Sequence, residues 1–386
     1  MKRVQIRKVA RLGTGHTPSR SVDAYWEPTE CTIPWLTLAD VWQLRDGSVS
    51  VVHDTKEKIS PLGLANSAAV RHPAGTVAFS RTASVGFSCI LGEDMATSQD
   101  FVTWTCGPQL DPRYLLWVLR GERDDILRRT QGSTHKTIYM PDIEQLTLPL
   151  PPLDEQRRIV EYLDRETSLI DTVIDKKTQL MSRLDERTYS FTTDVAHRAV
   201  AQRGEVRLRR CVVCLDGRRI PLDRVTRAER PGPYPYWGAG GVVDSIDAYL
   251  FNEPLVLLGE DGAPFFDRTR PVAFAVDGPL WVNNHIHALR PRSGWLASFL
   301  ETVLNVVDYG RFISGSTRDK LTQSDMLEIL IPHLDVSEQQ QFLEQVARAR
   351  NVSDTATARV ASQLVLLREH RQALVTATVT GLREAA

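Results

Sequence analysis

The sequence predicts a mixed α/β (α+β) fold, in which two globular domains alternate with two long coiled-coil helices. Three observations support this fold class: a pseudo-two-fold internal repeat, two long runs of apolar residues at helical spacing, and two segments rich in proline, glycine and tryptophan. A chain of 386 residues fits two to three domains of about 150 residues each. We therefore divide it into globular segments 1–150 and 205–331 and helical segments 151–204 and 332–386.

The internal repeat relates the two halves at an offset of 183 residues. Gly132-Ser133-Thr134 recurs as Gly315-Ser316-Thr317, and Glu155-Gln156 recurs as Glu338-Gln339. Eight of the thirty positions from 132 to 161 are identical to the residue 183 positions later. Self-similarity at a fixed offset is the signature of a duplicated structural unit, so we expect each half to contain one globular domain followed by one helix.

Both predicted helices carry apolar residues in alternating steps of four and three, the spacing of a coiled coil. The first helix, from Leu153 to about Arg198, would extend roughly 70 Å at 1.5 Å per residue. Pro152 stops any upstream extension, and Asp154 or Ser337 could cap the two N-termini. The expected inward positions of the first helix are 159, 163, 166, 170, 173, 177, 180, 184, 187 and 191, and those of the second helix lie 183 residues later.

The globular segments contain short apolar runs bounded by turn residues, which are typical of strands. The predicted strands are Thr76–Phe79, Ser88–Leu91, Phe101–Thr105, Leu255–Leu258 and Ala273–Val276. Apolar stretches at Tyr114–Leu119 and Leu296–Val307 predict short helices. Each globular segment is therefore expected to be a mixed α/β domain.

Composition excludes several classes of protein. With 42% hydrophobic and 25% charged residues, the chain is neither disordered, nor collagen, nor a disulfide scaffold. No apolar run approaches the roughly 18 residues of a membrane span, and Met1–Gln5 lacks the apolar stretch of a signal peptide. The five cysteines are odd in number and scattered, which fits a reducing cytoplasm.

Several segments resemble a known protein family. Leu148-Pro149-Leu150-Pro151-Pro152-Leu153-Asp154-Glu155-Gln156-Arg157-Arg158-Ile159 leads into the first predicted helix, and Tyr234-Pro235-Tyr236-Trp237-Gly238-Ala239 and Asn283-Asn284-His285 lie in the second globular segment. With the two-fold repeat, these segments make the chain resemble the specificity (S) subunits of type I restriction–modification enzymes. The second copy departs from the pattern, because Pro332–Gln339 lacks the double proline.

The resemblance implies that segments 1–150 and 205–331 are target-recognition domains, each reading one half of a bipartite, asymmetric site in double-stranded DNA. The two helices would lie antiparallel, separate the domains and dock two modification subunits, which carry S-adenosylmethionine and methylate adenine. Restriction subunits would add cleavage that depends on ATP and Mg, as a phage defence. The chain itself would be no enzyme and would bind no cofactor, no metal and no membrane.

Candidate DNA-binding residues lie in loops of the globular segments. Arg81-Thr82-Ala83-Ser84 follows a predicted strand and resembles a loop of the family. Lys136, Arg318 and Lys320 follow the two Gly-Ser-Thr turns, where small residues let backbone N–H groups and a cation approach a phosphate. Plain turns and helix N-caps are the alternative interpretations.

Aromatic and amide side chains extend this set. Tyr236 and Trp237 could contact bases or sugars, with core packing as the alternative. Asn283 could read adenine, with a structural turn as the alternative. The complete predicted DNA-binding set is Arg81, Ser84, Ser133, Thr134, Lys136, Tyr236, Trp237, Asn283, Ser316, Thr317, Arg318 and Lys320.

The start of each helix is the candidate contact for the modification subunit. Charged residues there face away from the predicted seam, and a solvated face is the alternative interpretation. The predicted contact residues are Glu155, Gln156, Arg157, Arg158, Glu338 and Gln339.

The sequence lacks signatures of catalysis. An Asn-Pro-Pro-Tyr or Asp-Pro-Pro-Tyr segment, a glycine-rich S-adenosylmethionine loop and a carboxylate–lysine nuclease centre are all absent. Cys211-Val212-Val213-Cys214 lacks a second ligand pair at zinc spacing, so two buried thiols are expected. Two other hypotheses remain open: a duplicated coiled-coil scaffold that assembles subunits without reading DNA, and an enzyme with an unrecognised site.

The formal net charge of −1 bears on how such a chain would hold DNA. Of the 47 basic residues, 39 are arginine, which can read guanine bidentately and also bind phosphate. No segment is a basic block, so the isolated chain should attract phosphates weakly. Either the basic residues cluster on one face of each domain, or partner subunits supply much of the positive charge.

Overall fold

The structure, a computed structural model, describes residues 2–45, 47–130, 136–313 and 319–385. Five of the predicted DNA-binding residues lie outside the described residues, namely Ser133, Thr134, Ser316, Thr317 and Arg318. Every structural statement below concerns the described residues.

The chain forms two compact units. Unit 1 comprises Met1–Lys176 together with Gln363–Ala386, and unit 2 comprises Lys177–Ser362. Each unit therefore combines one globular part with stretches of helix from two distant places in the sequence.

Unit 1 is built around a five-stranded sheet. The strands are β1 (Arg3–Gln5), β2 (Ala10–Thr14), β3 (Ile33–Leu36), β4 (Val51–Val52), β5 (Glu57–Ile59), β6 (Val77–Ser80), β7 (Ser88–Leu91), β8 (Ala96–Thr97), β9 (Phe101–Cys106) and β10 (Thr147–Pro149). The helices are α1 (Pro61–Ala65), α2 (Pro112–Gly121), α3 (Arg123–Leu127) and α4 (Met140–Glu144), with 3-10 turns at Ile6–Lys8, Asp23–Tyr25 and Leu38–Leu44. The sheet orders are β2-β9-β6-β7-β4 and β5-β3-β8, and β1 pairs with β10.

The core of unit 1 includes α2, whose residues 114–119 are all buried, and the five-stranded sheet. The Asp111 carboxylate begins α2 by accepting hydrogen bonds from the backbone N–H groups of Arg113 and Tyr114, at 2.8 and 3.4 Å, which satisfies donors that a helix N-terminus leaves free. Tyr114 is fully buried in the same cluster as Phe79 and Trp104, whose rings lie 6.1 Å apart. This core holds β6 and the loop that follows it.

Unit 2 contains two four-stranded sheets. The strands are β11 (Glu205–Arg207), β12 (Val212–Cys214), β13 (Pro231–Gly238), β14 (Gly241–Ile246), β15 (Phe251–Asn252), β16 (Leu255–Gly259), β17 (Ala273–Val276), β18 (Pro279–Val282), β19 (Ile286–Pro291) and β20 (Leu330–Pro332). The helices are α6 (Arg224–Ala228), α7 (Ala297–Leu304) and α8 (Gln323–Glu328), with 3-10 turns at Leu208–Arg210, Asp216–Arg218 and Tyr309–Arg311. The sheet orders are β12-β19-β16-β17 and β14-β13-β18-β15, and β11 pairs with β20.

The two units share one topology. The order β2-β9-β6-β7 in unit 1 corresponds to β12-β19-β16-β17 in unit 2. The pairs β3–β8 and β13–β18 are both parallel, and β1–β10 and β11–β20 are both antiparallel. The predicted repeat and mixed α/β class are confirmed, and each predicted strand matches an observed one to within one residue at either end.

Two long helices follow the globular parts, as predicted. Helix α5 spans Leu153–Arg203 (51 residues) and α9 spans Val336–Val379 (44 residues). In unit 1 they run antiparallel: the Arg371 guanidinium donates to both carboxylate oxygens of Asp171, at 2.8 and 3.0 Å, and Arg383, beyond α9, lies over the Tyr162 ring at 5.8 Å.

Helices α5 and α9 also run antiparallel within unit 2. The Ser353 hydroxyl donates to the Leu184 carbonyl at 3.0 Å, whereas Glu338, earlier in α9, forms an ion pair with Arg203, later in α5. The predicted coiled-coil pairing is therefore present in both units.

In the middle of α5, the residues that face inward lie one position after those predicted for the coiled-coil seam. Val173 and Leu180 were predicted inside but are 40% and 44% exposed, whereas Ile174 and Met181 are half-buried. A straight α-helix has 3.6 residues per turn, so a strict 3.5-residue pattern drifts off the inner face. The prediction at these positions is wrong for that reason.

The predicted N-terminal caps Asp154 and Ser337 are also wrong, because both lie inside the first turn. Before α5, the Pro152 carbonyl accepts two N–H hydrogen bonds of the first turn, each at 3.0 Å. Before α9, Asp335 accepts from the Glu338 N–H at 2.9 Å, and the Glu338 carboxylate accepts from the Asp335 N–H at 3.1 Å. This reciprocal pair is a capping box.

None of the helices in the described ranges is both long enough and apolar enough to cross a membrane.

Candidate nucleic-acid interface

The loop after β6 in unit 1 contains the predicted DNA-binding residues Arg81 and Ser84. The Ser80 hydroxyl at the end of β6 accepts from the Phe87 N–H at 3.0 Å and donates to the Ser84 carbonyl, which closes the loop. Ala83 adopts a left-handed conformation with φ of 57°, a region that residues other than glycine rarely occupy. The loop is therefore held in a defined shape at its exposed end.

A second segment fixes this loop and brings Lys136 to it. The Ala83 N–H donates to the Lys136 carbonyl at 3.0 Å, and the Ile138 N–H donates to the Arg81 carbonyl at 2.9 Å. Arg81 also donates from Nε to the Gln99 carbonyl at 3.1 Å. The structure thus places Arg81 and Lys136 on adjacent, hydrogen-bonded backbone segments, with the Lys136 side chain exposed.

Unit 2 repeats this arrangement after β16. The Leu321 N–H donates to the Glu260 carbonyl at 2.8 Å, and the Gly262 N–H donates to the Asp319 carbonyl at 3.1 Å. Lys320 is exposed, with Nζ 3.5 Å from Glu260 Oε1. The pairing makes Lys136 the counterpart of Asp319, since each of their carbonyls accepts an N–H of the loop, and Lys320 lies one position later. Each unit therefore has an exposed lysine in the segment bound to the loop that follows the same strand, displaced by one position between the units.

Trp237 and Asn283 join the same part of unit 2. The Asn283 N–H donates to the Trp237 carbonyl at 3.1 Å, and the Asn283 side-chain oxygen accepts from the His285 N–H at 2.7 Å. The His285 carbonyl in turn accepts from the Glu260 N–H at 2.9 Å. The predicted residues Trp237, Asn283 and Lys320 are thus connected through one series of hydrogen bonds, which includes the Asn283 side chain.

Tyr236 is too deeply buried to belong to the candidate DNA-binding residues of unit 2. Its side chain is 1% exposed and packs with Ile246 and Trp281. Its hydroxyl accepts from the Leu222 N–H at 3.0 Å and donates to the Leu222 carbonyl at 3.2 Å. The core-packing alternative therefore describes Tyr236, because no polar atom of the side chain is left for DNA.

A group of charged side chains, named here the His287 cluster, connects the strands that carry these loops of unit 2. Its members are Asp216, Arg219, Glu260, His287 and Lys320. His287 is fully buried, with Nδ1 2.6 Å from Asp216 Oδ2. The Arg219 guanidinium lies 2.6 Å from Glu260 Oε2 and 3.3 Å from Asp216 Oδ2.

Electrostatics in the His287 cluster favour the ionised form of the Asp216 carboxylate. Burial alone would raise the pKa of Asp216, but the hydrogen bond and charge of His287, the Ala288 N–H and the charge of Arg219 hold that pKa below its usual range. Asp216, Glu260 and His287 bring ligand-type atoms within 4.8 Å of one another. Since the Arg219 guanidinium already lies against both carboxylates, we assign an ion network here rather than a metal site.

Two of the predicted modification-subunit contacts are buried. Gln156 is 0% exposed, accepts from the Asp111 N–H at 2.9 Å and donates to the carbonyls of Gln109 and Pro151 at 2.9 and 2.8 Å. These bonds join α5 to the segment before α2. The side chain of Gln156 therefore serves the fold and not a partner surface.

Gln339 occupies the corresponding position in α9. It is 0% exposed, accepts from the Leu296 N–H at 2.9 Å and donates to the carbonyls of Gly294 and Leu334 at 2.8 and 2.9 Å. Glu338 beside it is engaged in the capping box and the Arg203 ion pair described above. The repeated Glu-Gln pair thus has a structural role in α9.

The other predicted contacts lie on the surface of α5. Arg157 and Arg158 are exposed and Glu155 is half-buried. Arg157 lies 3.7 Å from Asp154, an exposed pair of the kind that contributes little to stability. These three side chains remain accessible in unit 1.

The two cysteines of the Cys211–Cys214 segment are poor nucleophiles and poor metal ligands. Burial raises the pKa of Cys211 to about 12 and that of Cys214 to about 11. The thiolate is the reactive and metal-binding form, so both residues are ordinary thiols near neutral pH.

Comparison with known proteins agrees with this architecture. A family model of the type I restriction modification DNA specificity domain matches residues 1–181. This match covers just under half of the chain and shows that its first 181 residues are similar to that domain. Among solved structures, a chain of a type I R-M system, studied for complex assembly and conformational transition, aligns over 97% of this chain and 96% of its own length. Its TM-score of 0.69 at 16% identity shows a common fold.

Curated proteins with sequence similarity to this chain carry related names. A Haemophilus influenzae protein named as a type I restriction enzyme specificity subunit is 29% identical over 136 residues, 32% of this chain. The type I restriction enzyme EcoR124I/EcoR124II specificity subunit of Escherichia coli is 23% identical over 190 residues, 47% of this chain. The matched parts span only 35% and 44% of these relatives' lengths.

The His287 cluster is the part of the site that sequence reasoning missed. The hydrogen bond between His287 and Asp216 joins residues 71 positions apart, and no local pattern links them. The repeat gave no signal either, because at its offset of 183 residues Arg81 aligns with Pro264, whereas the strand pairing places Glu260 where unit 1 has Arg81.

Proposed function

We propose that this chain is the DNA-binding specificity subunit of a type I restriction–modification complex and reads a bipartite, asymmetric site in double-stranded DNA. Residues 1–150 would read one half-site and residues 205–331 the other, with 151–204 and 332–386 as spacer helices. The observation that carries the proposal is the duplicated loop, in which each unit has an exposed lysine beside a pinned turn, with Lys320 one position later than Lys136 in the shared backbone pairing. Two similar surfaces at two places suit two half-sites.

Each loop would combine a phosphate contact with base readout. Exposed Lys136 and Lys320 would contact phosphates, which position a protein on the duplex without reading sequence. Arg81 and Ser84 in unit 1, and Asn283 in unit 2, carry the donors and acceptors that major-groove readout requires. Trp237 is half-buried and would support the second loop rather than insert into DNA.

Helices α5 and α9 would set the distance between the two half-sites. With 51 residues, α5 is about 76 Å long at 1.5 Å per residue. Half-site spacing on DNA is a geometric quantity that a stiff spacer can fix. The gap in the recognised site would therefore be constant in length and free in sequence.

Catalysis would belong to partner subunits. Two modification subunits with S-adenosylmethionine would methylate adenine, and restriction subunits with ATP and Mg would cleave DNA. Glu155, Arg157 and Arg158 on α5 are the remaining candidates for the modification-subunit contact. A net charge of −1 gives weak attraction to phosphates, so the partners would also strengthen DNA binding.

In vitro selection tests this function. The chain is purified together with its modification subunits and incubated with a library of random duplexes, and the bound duplexes are sequenced. We expect two short words separated by a gap of constant length, with an adenine in each word methylated in the host genome. A scaffold that does not read DNA would enrich no word, and methyl transfer by the isolated chain would contradict a non-catalytic role.

A further inference from the structure

His287 has two hydrogen-bond acceptors and no donor against its ring. Nδ1 lies 2.6 Å from the Asp216 carboxylate, and Nε2 lies 3.0 Å from the Leu321 carbonyl. A neutral imidazole has only one N–H, whereas an imidazolium has two. Both contacts are therefore satisfied only when His287 carries a proton on each nitrogen.

The contact to Leu321 reaches the segment that carries Lys320. Lys320 lies between Asp319, whose carbonyl accepts from Gly262, and Leu321, whose N–H donates to Glu260. His287 lies in the buried strand β19, and its Nε2 supplies a side-chain hydrogen bond to the Leu321 carbonyl of this segment. The position of the Lys320 backbone thus depends on a side chain that cannot itself touch DNA.

The charges that face His287 are balanced within the His287 cluster. Asp216 contacts its Nδ1, and Glu260 Oε2 lies 3.8 Å from the same nitrogen. Arg219 contacts both carboxylates, and Lys320 pairs with Glu260. A buried charge is tolerated when it is paired and hydrogen-bonded in this way.

Unit 1 lacks these groups at the corresponding positions. Thr14 at the end of β2 is the cross-strand partner of Val102 in β9, where unit 2 has Asp216 and His287. The Arg81 carbonyl accepts from the Ile138 N–H, as the Glu260 carbonyl accepts from Leu321 in unit 2. The backbone pairing of the two loops is the same, and among the described residues unit 2 adds the buried His287 side chain, which bonds the second segment at Leu321.

We propose that His287 is a positioning residue for DNA recognition by unit 2, acting through the hydrogen bond from its Nε2 to the Leu321 carbonyl. This inference rests on the proposed function, because it concerns the same half-site. The hydrogen bond to Asp216 orients the ring, and the bond to Leu321 fixes the segment with Lys320. Unit 1 has no counterpart, so the effect is confined to one half-site.

Two isosteric variants separate the two hydrogen bonds. The amide nitrogen of glutamine replaces imidazole Nε2, and that of asparagine replaces Nδ1. His287→Gln therefore keeps a donor for Leu321 and loses the Asp216 contact, whereas His287→Asn keeps the Asp216 contact and loses Leu321. Both remove the same buried charge, so each controls for the other.

The measurement is discrimination between the preferred and a mismatched word at each half-site, for the complex with its modification subunits. We expect His287→Asn to lower discrimination at the second half-site by about tenfold, the effect of one lost positioning hydrogen bond. His287→Gln should stay within about threefold of wild type. Discrimination at the first half-site should be unchanged in both.

A readout without DNA keeps the inference testable by itself. Amide hydrogen exchange of residues 319–322 should be faster in His287→Asn than in His287→Gln, with equal thermal stability of the two variants. Equal exchange and equal discrimination in the two variants would overturn the inference. If instead wild type selects no two-part word while the exchange difference is present, the proposed function fails and the anchoring role stands.

If His287→Asn does not fold, Asp216→Asn replaces it as the test. The new amide can donate to Nδ1, which leaves a neutral imidazole whose proton lies on Nε2 and still bonds Leu321. We expect second-half-site discrimination within about threefold of wild type. A loss as large as that expected for His287→Asn would show that the ion pair, and not the bond to Leu321, is decisive.

Discussion

The two units have the same strands but different chemistry where their loops are anchored. In unit 1, Thr14 lies opposite Val102, and neither side chain is ionisable. In unit 2, Asp216 and fully buried His287 form an ion pair at the corresponding place. Backbone hydrogen bonds keep the register of a sheet whatever the side chains are. A duplicated frame can therefore carry two different anchors, and two loops of different specificity.

The joint between each long helix and its globular part, in contrast, has the same chemistry in both units. Gln156 and Gln339 are both fully buried, and each accepts one backbone N–H and donates to two carbonyls. Three bonds in the same pattern hold α5 in unit 1 and α9 in unit 2. The two units are thus alike where the helix is attached and unlike where the loops are anchored.

The largest expected effect comes from removing these glutamines. Gln156→Leu leaves one N–H and two carbonyls without partners, and Gln339→Leu does the same in unit 2. Each substitution should lower the free energy of unfolding of its own unit by about 3 kcal/mol, since unpaired buried polar groups are costly. Hydrogen exchange of peptides from each unit measures the two losses separately.

Arg157→Gln is the control for the glutamine variants. Arg157 is exposed in the same turn of α5, and its side chain forms a 3.7 Å surface pair with Asp154. We expect a change below about 0.5 kcal/mol. Unequal losses for Gln156→Leu and Gln339→Leu would break the equivalence of the two joints.

The next effect concerns the two exposed lysines. Lys136→Ala and Lys320→Ala should each weaken binding to all duplexes by about 1 kcal/mol and reduce the salt dependence by about one ion, as expected for a lost phosphate contact. Binding isotherms at several salt concentrations check this. Lys58→Ala is a control, because Lys58 is paired with Asp54 at 3.1 Å and belongs to neither loop.

The lysines also sharpen the comparison between units. Lys320 pairs with Glu260, so Lys320→Ala should disturb second-half-site discrimination in addition to affinity. Lys136 lies beside a loop without such a cluster, so Lys136→Ala should change affinity alone. If both variants leave the salt dependence as in wild type, neither lysine contacts a phosphate.

The sequence predicted the repeat, the strands and the two long helices because each rests on local periodicity or on identity at one offset. It misplaced the middle of the α5 seam, since the true helical repeat of 3.6 residues moves Val173 and Leu180 outward. It also assigned Gln156 and Gln339 to a partner surface. Whether a polar side chain faces solvent or backbone is decided by tertiary packing, which no single segment encodes.

The site was predictable only in part for a related reason. Loop residues such as Arg81 and Lys136 follow recognisable turns, and the structure brings them together through backbone bonds. The His287 cluster is assembled from four separate segments between Asp216 and Lys320. Pairing across such distances requires the fold, so sequence patterns leave it out.

The smallest expected effect is a difference in acid sensitivity. In unit 1, burial and the charge of Arg11 lower the pKa of His72 below 6.5. The folded form then binds fewer protons than the unfolded form, so the stability contributed by neutral His72 is complete above about pH 6.5 and lost as the pH falls below it. In unit 2, Asp216 has a pKa below 3.8, so its contribution is lost only under stronger acid.

Between about pH 6.5 and pH 4, unit 1 should therefore lose protection through His72 while unit 2 does not lose the contribution of Asp216. At each pH, the amide exchange rate of each peptide in the wild type is divided by the rate in His72→Gln. This ratio removes the intrinsic pH dependence of exchange. The ratio should rise as the pH falls in unit 1 and stay constant in unit 2. A ratio that is flat in both units would show that His72 does not destabilise unit 1 on acidification, and the two units would then differ in their loop anchors alone.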